Sequence, residues 1–170
     1  MRKFLIVALI FSALPAAASP SVTVGFSPSH TALENVLSVI NDATVSLDVE
    51  AYSFTSKPIA SAIVAAQKRG VSVRVMADKK ANTGQYSAVT FLANQHVPVR
   101  LNDNYAIMHN KVMIVDAKTV QTGSFNYTAS ADSRNAENSL VLRDFPQLAA
   151  QYEKEFNRLW AESSQMLPAY

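Results

Sequence analysis

The chain has no cysteine. That excludes a thiol nucleophile, a thiolate metal site and a disulfide framework, so stability has to come from core packing. Glycine is scarce, with four in 170 residues, and seven prolines do not bring the composition near a low-complexity segment. Histidine occurs only at His30, His96 and His109, and no two have the spacing of a helical zinc pair. There is no internal repeat and no block of like charge. Charged residues make up 16% and hydrophobic ones 49%, which is too apolar for a disordered chain and fits one domain with a two-layer core. The 15 basic and 13 acidic residues leave a net charge of +2, so overall charge cannot hold a polyanion.

The N-terminus reads as an export signal. Arg2 and Lys3 precede an almost unbroken apolar run from Phe4 to Leu14, and Ala16, Ala17 and Ala18 supply small side chains for a signal peptidase. Cleavage after Ala18 is expected, because cutting after Ser19 would place Pro20 behind the scissile bond. A retained anchor is the alternative, but the run is shorter than the roughly 20 residues needed to span a bilayer. The sequence thus divides into a signal, 1–18, and one domain, 19–170, exported to the periplasm or medium without stable membrane insertion. Losing Arg2 and Lys3 brings the charge to zero, with 13 residues of each sign. Any polyanion must then be held by a local patch.

Hydrophobic periodicity sets out the elements. Val22–Phe26 alternates as a strand, and Thr31 to Glu34 has capping-box spacing before a helix carrying Leu33, Val36, Leu37 and Ile40. Val45–Ala51 is a strand with Leu47, Val49 and Ala51 on one face. Ser56 and Pro58 open a second helix that Gly70 stops. Strands follow at 71–76 and 97–101, with a polar loop at 79–86 and a helix at 87–94 between them. Val112–Val115 and Val120–Gly123 read as paired strands, Ser139–Leu142 as a late strand, and Pro146 opens a last helix through Tyr152, Phe156 and Trp160. The alternation predicts an α/β domain with a mixed, largely parallel sheet sandwiched by helices.

One constellation carries chemistry: His109, Lys111 and Asp116, followed by Gly123, Ser124 and Asn126. Two residues apart on an extended chain, His109 and Lys111 share a face. A neutral imidazole can attack phosphorus, and an ammonium beside it can neutralise phosphate oxygens. Gly123 and Ser124 form a turn where backbone and hydroxyl approach a ligand, and Asn126 adds an uncharged amide donor. Each feature alone is commonplace; a His near a Lys is usually a solvated pair. Their joint spacing over 18 positions is not commonplace.

These residues resemble the His-x-Lys-x(4)-Asp-x(6)-Gly-Ser-x-Asn signature of the phospholipase D superfamily at every element and gap. The resemblance extends upstream to Ala51–Thr55 and Lys68–Val75, and downstream to Asn135–Ser139 with Glu137 at the supporting acidic position. Size and single motif are most similar to the small exported bacterial Nuc-type endonucleases. The resemblance implies a phospholipase D/nuclease-like fold and a metal-independent phosphodiesterase without cofactor. In it His109 attacks phosphorus, Lys111 and Asn126 bind the non-bridging oxygens, and Ser124 and Gly123 help bind substrate. Glu137 accepts a hydrogen bond from His109. Asp116 is expected to be structural rather than catalytic.

That chemistry needs a second imidazole to protonate the leaving oxygen, and neither His30 nor His96 lies in a His-x-Lys pair. A homodimer placing two His109 side chains together at a two-fold axis supplies it. The expected substrate is DNA, with RNA as a candidate, bound through Lys57, Lys79, Lys80, Arg100 and Arg134; a lipid phosphodiester is the alternative. Asp48 and Glu50 share a strand face and are expected to be solvated rather than to bind a metal.

Overall fold

Eight strands, five α-helices and a 3-10 turn (Lys80–Asn82) form among residues 19–84 and 87–169, which the computed structural model describes. The expected signal, 1–18, lies outside the described residues. In chain order the elements are β1 (Ser21–Ser27), α1 (Thr31–Asp42), β2 (Ser46–Ala51), α2 (Lys57–Lys68), β3 (Ser72–Asp78), α3 (Ala88–Asn94) and β4 (Val99–Asn102). There follow β5 (Lys111–Val115), β6 (Thr119–Gly123), α4 (Ala129–Ser133), β7 (Glu137–Arg143), α5 (Pro146–Glu162) and β8 (Ser164–Gln165).

The strands form one mixed sheet in the order β1-β7-β6-β5-β2-β3-β4-β8. The α/β class and the mixed sheet agree with expectation, but the parallel share is smaller. Only β2–β3 and β3–β4 are parallel; the other five pairings are antiparallel. The reason lies in the connections. Helical crossovers link β2, β3 and β4, whereas β5 and β6 are joined by a tight turn that forces reversal. The crossover from β1 through α1 does not place β2 beside β1: β1 lies at the far edge, on β7.

Helices cover both faces. On one side α1, α2 and α3 bury Val36, Ile40, Ile59, Ile63 and Leu92 against Leu47, Val49 and Val75. On the other, α5 buries Ala149, Phe156 and Leu159 against Met76, Val112, Ile114 and Val120. Apart from Ala149, each such side chain contributes about 1.5–3 kcal/mol on burial, so these contacts hold the layers together. Arg74 reinforces α5, with its guanidinium 4.7 Å from the Phe156 ring centroid and 5.6 Å from that of Trp160.

Some local signals act differently from expectation. The residue flanking α1 is His30 in a left-handed conformation, and the Thr31 hydroxyl accepts from the Phe26 N–H at 2.8 Å instead of capping the helix. Ser56 does precede α2, without a side-chain capping bond. The short helix α4, capped by Thr128, and the two-residue β8 have no periodicity long enough to reveal them.

Candidate active site

Strand register brings the motif to one edge of the sheet. Because β5 is antiparallel to β2, Lys111 at its start lies opposite Ala51 at the end of β2. The return along β6 puts Thr122 opposite Val112, so Gly123 and Ser124 arrive at the same edge. There β7 begins with Glu137, and Ser139 lies opposite Gly123. Gly123 has φ +152°, and a Cβ on it would run into the Asn138 carbonyl oxygen, so the close approach of β6 and β7 requires glycine.

A cleft of about 700 Å³ opens there beneath α5, lined by His109, Lys111, Gly123, Ser124, Glu50 and Tyr152 among others. The His109 side chain sits with its ring centroid 4.5 Å from that of Tyr52, and the residue is exposed. Lys111 is only 5% exposed; its Nζ donates to the His109 carbonyl at 2.6 Å and lies 5.0 Å from the Tyr52 ring centroid. Burial pushes the ammonium below its ordinary pKa, while the nearby Glu137 carboxylate opposes that shift. No carboxylate lies within salt-bridge distance of Lys111 among the described residues. A largely desolvated cation without a direct counter-ion, beside an accessible imidazole, is suited to an anionic ligand.

The remaining motif residues take up three different situations. Ser124 donates to Glu137 Oε2 at 2.5 Å and accepts from the Asn138 N–H at 3.1 Å. Glu137 accepts from Asn135 Nδ2 through its other oxygen at 2.9 Å, so both oxygens are engaged at its own edge. The expected bond from His109 is not among those made by the described residues. Asn126 is not part of the cleft lining; its Oδ1 is buried without a hydrogen-bond partner among the described residues. Asp116 lies at the opposite edge, accepting from the Thr44, Val45 and Ser46 N–H groups and from the Thr44 hydroxyl. Burial alone would raise its carboxyl pKa, but these bonds outweigh it and the net shift is downward.

Residues 36–160 match the family described as cardiolipin synthase, PLD-like domain. The chain belongs to the phospholipase D superfamily. Its structure is similar to that of Nuc from Salmonella typhimurium, a phospholipase D family member. The TM-score is 0.86 at 42% identity, covering 88% of this chain and 99% of that one. NucT from Helicobacter pylori gives a TM-score of 0.79 at 26% identity, covering 87% and 100%. A phospholipase D of Rickettsia conorii is 37% identical over 131 residues, which is 77% of this chain but 65% of that relative's length. The superfamily is one of phosphodiester hydrolases, and this chain has the His-x-Lys and Gly-Ser-x-Asn elements complete.

Within this phospholipase D-like fold several expected phosphate contacts are committed elsewhere. Lys79 pairs with Asp103 at 2.6 Å, and Arg100 donates to the Trp160 carbonyl at 2.6 Å. Lys80 reaches the Ala106 carbonyl at 3.5 Å. Lys57 and Arg134 are exposed and form no ion pair among the described residues.

Two carboxylates behave unlike the sequence reading, and a third, Asp78, was not singled out by it. Asp48 and Glu50 are not solvated: they are 6% and 2% exposed, because α5 covers their face of β2. Asp48 is neutralised by Arg74, at 2.8 and 2.7 Å to its two oxygens. Asp78, at the end of β3, is 2% exposed and accepts from the Met108 N–H at 2.8 Å. The available signal was position: a strand between helical crossovers is covered on both faces, so its alternate acids are buried too.

Proposed function

We propose that this chain is an exported, metal-independent phosphodiesterase that hydrolyses DNA, and RNA as a second substrate, through a phosphohistidine intermediate. The observation that carries this reading is the exposed His109 beside the buried Lys111 ammonium, which makes no ion pair among the described residues, in one cleft with Gly123 and Ser124. Neutral His109 attacks phosphorus, a P–N bond forms and the P–O bond to the leaving alkoxide breaks. Lys111, with the Asn126 amide turned toward the phosphate, stabilises the non-bridging oxygens. Ser124 and Gly123 border the phosphate, and Glu137 reaches it through Ser124. Water then cleaves the P–N bond, returning His109 and releasing the second product.

The leaving alkoxide needs a proton, and His109 of a second subunit supplies it. An open apolar strip supports that homodimer. Val22, Val24 and Phe26 on β1 are 56%, 55% and 54% exposed. Their register through Leu140 and Leu142 to Thr122 and Val120 puts them on the face that α5 covers elsewhere. The strip adjoins the motif edge, so pairing across it would bring two clefts near one axis.

Similarity to Nuc and NucT favours nucleic acid, and the exposed Lys57 and Arg134 provide phosphate contacts without base readout. The phospholipase D relative of Rickettsia conorii favours a lipid diester as the second reading. Plasmid cleavage in chelator, with wild type beside His109→Ala, tests the first; phosphatidylcholine hydrolysis by the same pair tests the second. The expected result is DNA cleavage by wild type, and a loss of at least about 10⁴-fold in the variant, since no covalent path remains. Equal cleavage by the two proteins would refute the assignment of His109.

A further inference from the structure

His109 is bracketed by two buried acids. Asp78 Oδ2 accepts from the N–H of Met108, the residue before it, at 2.8 Å. Glu50 Oε2 accepts from the side-chain amide of Asn110, the residue after it, at 2.8 Å. Asp78 is the last residue of β3 and Glu50 the last but one of β2, two adjacent parallel strands, at the sheet edge that the motif occupies. We propose that Glu50 is a positioning residue for the reaction: through Asn110 it clamps the centre of the His-x-Lys segment to β2, while Asp78 holds the other side of His109. The idea rests on the phosphodiesterase reading of the same site.

The cost of Glu50 sets it apart from an ordinary core residue. It lies opposite Met76 on β3 and Val112 on β5, under α5, where an apolar side chain of similar size would fit without desolvation cost. Its neighbour Asp48 has a guanidinium bonded to both oxygens; Glu50 has a neutral amide. Burial pushes its carboxyl up to about 7 against the lowering effect of the Asn110 bond. Glu155 of α5 and Asp48 of β2 add to the rise, and Arg158 of α5 opposes it. The surrounding apolar layer supplies packing, so what the carboxyl adds is the grip on Asn110. A segment with its central side chain anchored presents the His109 ring and the Lys111 ammonium in one fixed relation, which is what in-line attack requires.

Four variants test this: Glu50→Met, Glu50→Gln, Asn110→Ala and the double Glu50→Met/Asn110→Ala. The reporter is bis(p-nitrophenyl) phosphate, with the His109 ring followed by NMR. Glu50→Met and Asn110→Ala should each lower kcat about tenfold with KM within about twofold, and the double variant should be no worse than either. Glu50→Gln keeps an acceptor for Asn110 and should restore most of kcat, while removing from the pH profile one ionisation near neutrality. In Glu50→Met the His109 ring resonances should shift or broaden; in Glu50→Gln at low pH they should match wild type. Unchanged kcat in both single variants of an active enzyme would overturn the clamp. So would unchanged ring resonances in Glu50→Met, even if wild type proved inactive on diesters, a result that by itself would refute only the functional reading.

Discussion

At the scale of single residues, the edge that carries the motif is built from groups that fold at a cost. Lys111 is a buried ammonium, and among the described residues Asn126 has an unmet buried oxygen and Glu50 is a carboxyl without an ion pair. Glu50 gives the most measurable consequence. Its folded pKa of about 7 lies above the ordinary 4.5, so the native state binds the extra proton. Stability from this group is fully present below about pH 4.5 and is lost as pH rises through about 7. A difference of that size corresponds to about 3 kcal/mol. Glu50→Gln cannot ionise and still accepts from Asn110. It should therefore match wild type in denaturant unfolding at pH 4 and exceed it by up to about 3 kcal/mol at pH 8. A constant offset at both pH values would show that the carboxyl is not titrating in this range. Asp116 has the opposite sign: its lowered pKa makes it a support that is lost only as pH falls through that value.

At the scale of elements, the sequence was most legible where periodicity was long. Helices α1, α2 and α5 and strands β2 and β3 lie within a few residues of their expected bounds, because each has an unambiguous apolar stripe. The motif residues His109, Lys111, Gly123 and Ser124 were legible for another reason: their spacing along two antiparallel strands becomes proximity at one edge. The parallel share of the sheet was not legible, since it depends on which strand β1 and β5 choose as neighbours. Nor were Glu50 and Asp78, whose burial follows from what α5 and the neighbouring loops cover. The turn between β5 and β6 offers a local test. Asp116 and Ala117 both have left-handed dihedrals, φ 52° and 54°, and Lys118 donates to the Val115 carbonyl at 3.1 Å. This is a tight hairpin turn whose second central residue would suit glycine. Ala117→Gly should stabilise the protein by about 0.5–1 kcal/mol, the relief of the left-handed alanine exceeding the added unfolded-state entropy. Thermal unfolding should register a rise of about 1–4 °C.

At the scale of the whole molecule, the proposed reaction asks for two imidazoles where the sequence has one His-x-Lys motif, and the proposed association of two subunits supplies the second. The apolar strip on β1 gives that association a place. Three side chains more than half exposed lie in a row on an edge strand, beside a cleft that is itself polar. Placing a charge at the centre of that row should separate subunits without disturbing the fold, because the position is already solvated in the monomer. Val24→Lys should sediment as a monomer, unfold at nearly the wild-type denaturant midpoint and lose diesterase activity about as severely as His109→Ala. Mixing supplies the independent check. When wild type and His109→Ala are unfolded together and refolded, a site that needs both His109 rings survives only in wild-type homodimers. Activity per total protein then falls as the square of the wild-type fraction, so an equal mixture should retain about one quarter of full activity. A self-sufficient subunit would give a straight line and about one half. The linear result, or a fully active Val24→Lys monomer, would remove the dimer from the mechanism and require a proton donor from the chain's own cleft.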